Sequence, residues 1–231
     1  MYHRCIYTSA LYFDPNVILR VITAPNSAFA QVRDNEEKYF AQSIGLLVFT
    51  SILGALLLVP FIMIPLDDLY FEGVDDDNFP TDNTDVILFV GINTLNGLFS
   101  AVLFYFIGKK IGGNTNWKKV FSVIFHTHVP LIPMSVILSI LLFLMMDSIA
   151  SIDSSLLIEL DEDEEQILSL IGPMLGYVGL FVTVTIAFVV WIFVVSVKAV
   201  KTVNGFGTAK AFGLIILVMI ISSIVTAPFG T

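Results

Sequence analysis

The sequence predicts an all-α polytopic membrane protein with five transmembrane helices, an N-terminus in the cytoplasm and a C-terminus outside. Three observations carry that expectation. The 231 residues are 56% hydrophobic and only 13% charged, with a mean hydropathy of +0.88, whereas a soluble domain carries about a quarter charged residues. The apolar residues gather into five stretches free of Asp, Glu, Lys and Arg: Ala41–Leu66, Val86–Gly108, Val120–Met146, Ile167–Val197 and Ala211–Phe229. Finally, all eleven Lys and Arg fall before the first stretch, between the second and third, or between the fourth and fifth.

Each stretch reaches or nearly reaches the roughly 20 residues that cross about 30 Å of hydrocarbon. Lipid offers the backbone no hydrogen-bond partners, so such stretches must be helices. Basic connections stay cytoplasmic, which fixes the expected orientation. The acids mirror this, with Asp14, Asp34, Glu36 and Glu37 inside and the other sixteen outside. The chain thus divides into a cytoplasmic or interfacial amphipathic segment, 1–40, and a five-span domain, 41–231, with spans at about 41–66, 86–108, 120–146, 174–197 and 211–229. The charges and prolines of residues 1–38 argue against a cleaved leader, and the single Cys5 excludes an internal disulfide.

Before span one, Pro25 suits the first turn of a helix and Asn26 or Ser27 can cap its free amides. Phe29, Val32, Tyr39 and Phe40 recur near a helical period among charges, predicting an amphipathic helix on the inner leaflet. In span two, Asn93 and Asn96 of "GINTLNG" share one helical face. They form a candidate intramembrane polar site, as interhelical hydrogen-bonding groups or as the lining of a neutral-solute path. At the threshold of span three, "KKVFSVIFHTHVPLIP" puts His126 and His128 two residues apart. On a helix they point about 200° from each other, so no shared metal site is expected. Pro130 frees the carbonyl of His126, predicting a kink at the inner interface, where the imidazoles lie at headgroup depth. Span four is too long for one crossing. Pro173 near its start should break or kink it, and Gly172, Gly176 and Gly179 form a small-residue face for packing within the chain or for homodimerisation.

The outer acidic runs, "DDLYFEGVDDDNFPTDNTD" and "ELDEDEEQ", lack the alternating acids and turn glycine of a calcium hand and read as solvated caps. No ionisable residue lies mid-span, which argues against proton-coupled or charged-substrate carriers. There is no nucleophile elbow, zinc-protease motif or phosphate-binding loop. No enzyme, catalytic residue, metal or cofactor is expected, and no nucleic-acid partner.

Four segments resemble the Yip domain, the five-span membrane family named for Ypt/Rab-interacting proteins. "TAPNSAFAQV" (23–32) resembles its Pro-x-x-x-Phe approach to span one. "GGNTNWKKVFSVIFHTHVPLIP" (112–133) resembles its glycine loop, amphipathic approach and proline at span three. "WIFVVSVKAVKTV" (191–203) resembles its Trp-led end of span four, and "NGFGTAKAFGLIIL" (204–217) its Asn-Gly turn into span five. The resemblance covers about residues 20–230 in order. Eukaryotic members carry long cytoplasmic N-terminal regions implicated in GTPase and coat partnerships, whereas about 40 residues precede span one here. The resemblance therefore implies a bacterial or archaeal member in the cell membrane; a eukaryotic one would sit in the Golgi or endoplasmic reticulum.

The expected function is non-enzymatic, acting through anionic lipid headgroups, a membrane-protein partner or a second copy. The expected lipid or partner face comprises Phe29, Arg33, Lys109, Lys110, Lys118, Lys119, His126, His128, Lys198 and Lys201. The alternatives are a small channel or carrier for a neutral solute, or a membrane subunit of a larger complex.

Overall fold

The computed structural model describes residues 13–55, 83–150 and 164–226. Among these every regular element is an α-helix: α1 Pro15–Thr23, α2 Pro25–Asp34, α3 Glu36–Ala55, α4 Asn83–Lys110, α5 Trp117–His126, α6 Leu131–Ala150, α7 Glu164–Asn204 and α8 Thr208–Thr226. Five stretches are long and apolar enough to cross a membrane: Glu36–Ala55, Val86–Lys110, Trp117–Ser148, Leu175–Asn204 and Thr208–Val225. His3 and Cys5, most of both acidic connections, and residues 56–66 and 227–229 of the expected spans lie outside the described residues.

The chain forms two compact units. The first is Met1–Phe49, Thr94–Val129 and Phe193–Thr231; the second is Thr50–Asn93 and Pro130–Ile192. In the first unit, the segment before α3 is two short helices. Asp14 caps α1, its carboxylate accepting from the amides of Asn16 and Val17, and Pro15 occupies the first turn. Pro25 opens α2, as its fixed φ favours, but no side chain caps that helix; Ser27 Oγ instead donates to the Ala24 carbonyl at 2.9 Å.

The apolar sides of both helices turn inward. Val17, Val21, Ala28, Phe29 and Val32 are all at most 1% exposed, and α2 lies against both α1 and α5. The amphipathic pattern therefore serves packing inside the unit, where burying each large side chain is worth about 1.5–3 kcal/mol.

The expected kink at the third span is a full break. α5 ends at His126 and four turn residues precede α6. The carbonyl that Pro130 cannot reach accepts instead from the Val129 amide at 3.2 Å, three residues on. α6 alone has 20 residues, enough for about 30 Å. α5 is thus a separate ten-residue helix with Val120, Val123, Phe125 and His126 fully buried.

The fourth span's helix is not interrupted at Pro173, which lies in the second unit. α7 runs 41 residues from Glu164 to Asn204, because losing one backbone hydrogen bond is tolerated in long apolar helices.

Candidate functional site

The basic residues gather at helix ends of the first unit. Arg33 lies in the last turn of α2, and Lys109 and Lys110 close α4. Lys118 and Lys119 open α5, while Lys198 and Lys201 lie near the end of α7. Lys109, Lys110 and Lys201 are exposed, and Arg33, Lys118, Lys119 and Lys198 half-buried. Two residues expected on this face are elsewhere. Phe29 and His126 are each 0% exposed: Phe29 is core between helices, and His126 is enclosed by α3 and α5. His128 is half-buried, edge-on to Phe125 with ring centroids 6.4 Å apart.

The cations differ in what they face. Lysines in the first turn of α5 oppose its dipole, and α3 supplies the compensation from its own first turn. Glu37 pairs with Lys118 at 3.4 Å, and Glu36 accepts from Asn116 Nδ2 at 3.2 Å. Asn116 also caps α5, accepting from the Lys119 amide at 2.8 Å. Lys119 lies close enough to Asp34 to help hold that carboxyl below its usual value, although the chief cause is the hydrogen bond from Arg33. Arg33 donates to Asp34 at 2.7 Å and reaches the Thr202 carbonyl at 3.1 Å, tying α2 to α7.

Among the described residues no carboxylate pairs with Lys109 or Lys110. Lys109 lies over the Tyr105 ring, 5.6 Å from its centroid, and the two lysines border a shallow groove of about 420 Å³ with Phe106 and Ile107. The α4 end itself is braced from α7. Asn204 Oδ1 fills the space beside two glycines, so that a Cβ on Gly113 would come within 2.6 Å of it and one on Gly108 within 2.9 Å. Gly112 and Gly205 take φ of +96° and +71°, a left-handed conformation that suits glycine. Two of the segments singled out in the sequence, the glycine loop and the Asn-Gly turn, thus meet in space.

Beneath α1 and α2 lies a polar network that no sequence motif announced. Arg20 donates to Gln31 Oε1 at 2.5 Å, Gln31 Nε2 to Tyr39 Oη at 2.6 Å, and Tyr39 Oη to Asp14 Oδ2 at 3.0 Å. The Asp14 amide in turn donates to Gln42 Oε1 at 3.0 Å. Desolvation is the largest influence on Asp14 and pushes its carboxyl up. Bonds from Tyr39 and the Val17 and Asn16 amides together outweigh it and hold the carboxyl below its ordinary value. Deeper, His126 Nδ1 lies 2.7 Å from the Ser122 carbonyl and 3.1 Å from Ser43 Oγ. A carbonyl only accepts, so this nitrogen carries the proton. Tyr39 meets the same imidazole edge-on at 6.2 Å.

Asn93 Nδ2 donates to its own helix, to the Phe89 carbonyl at 2.8 Å, while Asn96 Oδ1 is buried without a partner. A Cβ on Gly172, Gly176 or Gly179 would meet nothing within 4 Å among the described residues. No group of three metal-ligating side chains comes together among them either.

Helices of membrane-crossing length, with basic residues collected at their ends, define an integral multi-pass membrane protein. The chain belongs to the Yip1 family: the family model, described as the Yip1 domain, matches residues 19–227. No curated protein and no solved structure gives a significant match.

Proposed function

We propose that this Yip1-family protein acts without catalysis, through lipid and protein-partner contacts made at its basic face, in a membrane-organising or trafficking-like role. We place that face in the cytoplasm of a cell membrane, as the distribution of its bases favours. The observation that carries the reading is the position of Arg33, Lys109, Lys110, Lys118, Lys119, Lys198 and Lys201 at helix ends of one unit, beside stretches of membrane-crossing length. Each base near an anionic leaflet contributes about 1 kcal/mol, screened by salt. Replacing Lys109, Lys110, Lys118 and Lys119 with glutamine should therefore weaken enrichment of anionic over zwitterionic phospholipid around the protein in nanodiscs, most at low salt. Enrichment that stays the same at every salt concentration would remove the proposal.

A second reading, a path for a neutral solute, is favoured by the unpartnered Oδ1 of Asn96. Its test is flux into proteoliposomes: a leak lost in Asn93→Leu and Asn96→Leu variants that still fold supports transport, and no leak in the native protein rejects it.

A further inference from the structure

We propose that the groove at the end of α4 is a binding site for a single anionic phospholipid, a reading that rests on the lipid-contact function above and assigns it a location. Phe106, Ile107, Lys109 and Lys110 line an open cavity of about 420 Å³. Residues 106 and 107 lie one turn before 110, so the apolar and basic groups share one side of the helix. Phe106 is 64% exposed and offers a ring for the first acyl carbons, while the two ammonium groups lie one turn further on, at the depth where a span of this length meets headgroups.

Charge decides the occupant. Lys118 and Lys119 already face Glu37 and Asp34, whereas no described carboxylate pairs with Lys109 or Lys110. A helix C-terminus would by itself repel an anion. Here that end is countered by a third base, Lys210, whose Nζ donates to the Ile111 carbonyl at 3.3 Å and lies over the Phe206 ring. Three cations around one helix end favour a phosphate, and the apolar floor favours one that carries acyl chains. Lys109 is held against Tyr105, with Nζ 3.4 Å from its hydroxyl, so part of the site is already positioned before a lipid arrives.

The test compares pairs of lysines in the full-length protein. The protein is reconstituted in vesicles of equal phosphatidylglycerol and phosphatidylcholine, extracted in mild detergent, and its retained lipid counted by native mass spectrometry. The wild type should keep phosphatidylglycerol in preference, and millimolar inorganic phosphate should not displace it. Lys109→Gln with Lys110→Gln should cut retention roughly thirtyfold, the factor two bases near an anionic surface supply. Lys118→Gln with Lys119→Gln should cut it less than about threefold. Phe106→Asn, at an exposed position, should also lower retention severalfold. Equal losses for the two pairs, or full retention in the Lys109/Lys110 variant, would overturn this site while leaving a general lipid preference standing. Displacement by free phosphate would make it an anion site and overturn the lipid assignment. A wild type without any preference for phosphatidylglycerol would instead sink the broader function and the site with it.

Discussion

The two units of this protein differ in the reach of the side-chain hydrogen bonds described in them. In the first, hydrogen bonds join residues far apart in the chain: Tyr39 to Asp14, Ser43 to Ser122 and His126, Arg33 to the Thr202 carbonyl. In the second, Asn93, Thr183 and Thr185 bond back to carbonyls of their own helices. Large apolar groups such as Ile140, Phe143, Ile186 and Val190 are exposed there. Lipid tails are as apolar as leucine, so they give such helices no hydrophobic reason to associate. Specificity must come from close packing and polar pairing, and the first unit supplies polar pairs between residues distant in the chain. That is also the unit which carries the bases.

Substitutions can break or sharpen this contrast. The largest effect is expected for Phe29→Ala, which empties a fully buried site between α1, α2 and α5 and should cost about 3–5 kcal/mol, read as a lower denaturation midpoint in detergent. A lipid-facing Phe29 would give almost no change, so a loss under about 1 kcal/mol would reject its place in the core.

Gly113→Ala comes next, since its Cβ would meet both Asn204 Oδ1 and the Gly108 carbonyl. About 1–3 kcal/mol of overpacking is expected. Adding Asn204→Ala should recover part of it, because it removes one of the two obstacles; strictly additive losses would show that the two residues do not touch.

Tyr39→Phe should cost about 1 kcal/mol, the usual net value of a hydrogen bond. It should also alter the acid side of the stability profile. Asp14 has a lower pKa folded than unfolded, so the unfolded chain takes up its proton first. The stabilisation is complete above the ordinary carboxylate value of 3.8 and is lost as pH falls through the lower folded value. In Tyr39→Phe the folded carboxyl moves up toward its ordinary value, so that decline should be smaller and should end at higher pH than in the wild type. An unchanged profile would mean the phenol does not hold the carboxylate.

The smallest effect is expected in the second unit. Gly176→Ala meets nothing among the described residues and should not destabilise. A clear loss of stability or a change in oligomeric state there would reveal a neighbour against this face and restore the packing role inferred from its glycine spacing.

Much of the architecture was legible because it rests on local quantities. Length, apolarity and the absence of charge mark Val86–Gly108 as a helix wherever it packs, and basic clusters mark helix ends. Pro25 marked the start of α2 for an equally local reason. What failed to show was set by partners distant in the chain. Phe29 and Val32 have the spacing of a lipid-facing stripe, but the same spacing serves a buried one, and only α5 decides between them. His126 reads as a headgroup-depth imidazole until Ser43, 83 residues away, closes over it. Asp14, Gln31 and Tyr39 form no motif at all, since they meet only after α1 and α2 fold onto α3.

By itself, then, the sequence determined the all-helical class, the apolar segments and the clustering of the bases between them, because the cost of burying backbone and charge in lipid is paid residue by residue. Tertiary structure decided which amphipathic faces are core, that Lys118 pairs with Glu37 while Asp34 pairs with Arg33, and that Lys109 and Lys110 remain beside an apolar groove. Those outcomes depend on pairings between distant residues, and the free energy of a pair exists only once its two members are brought together.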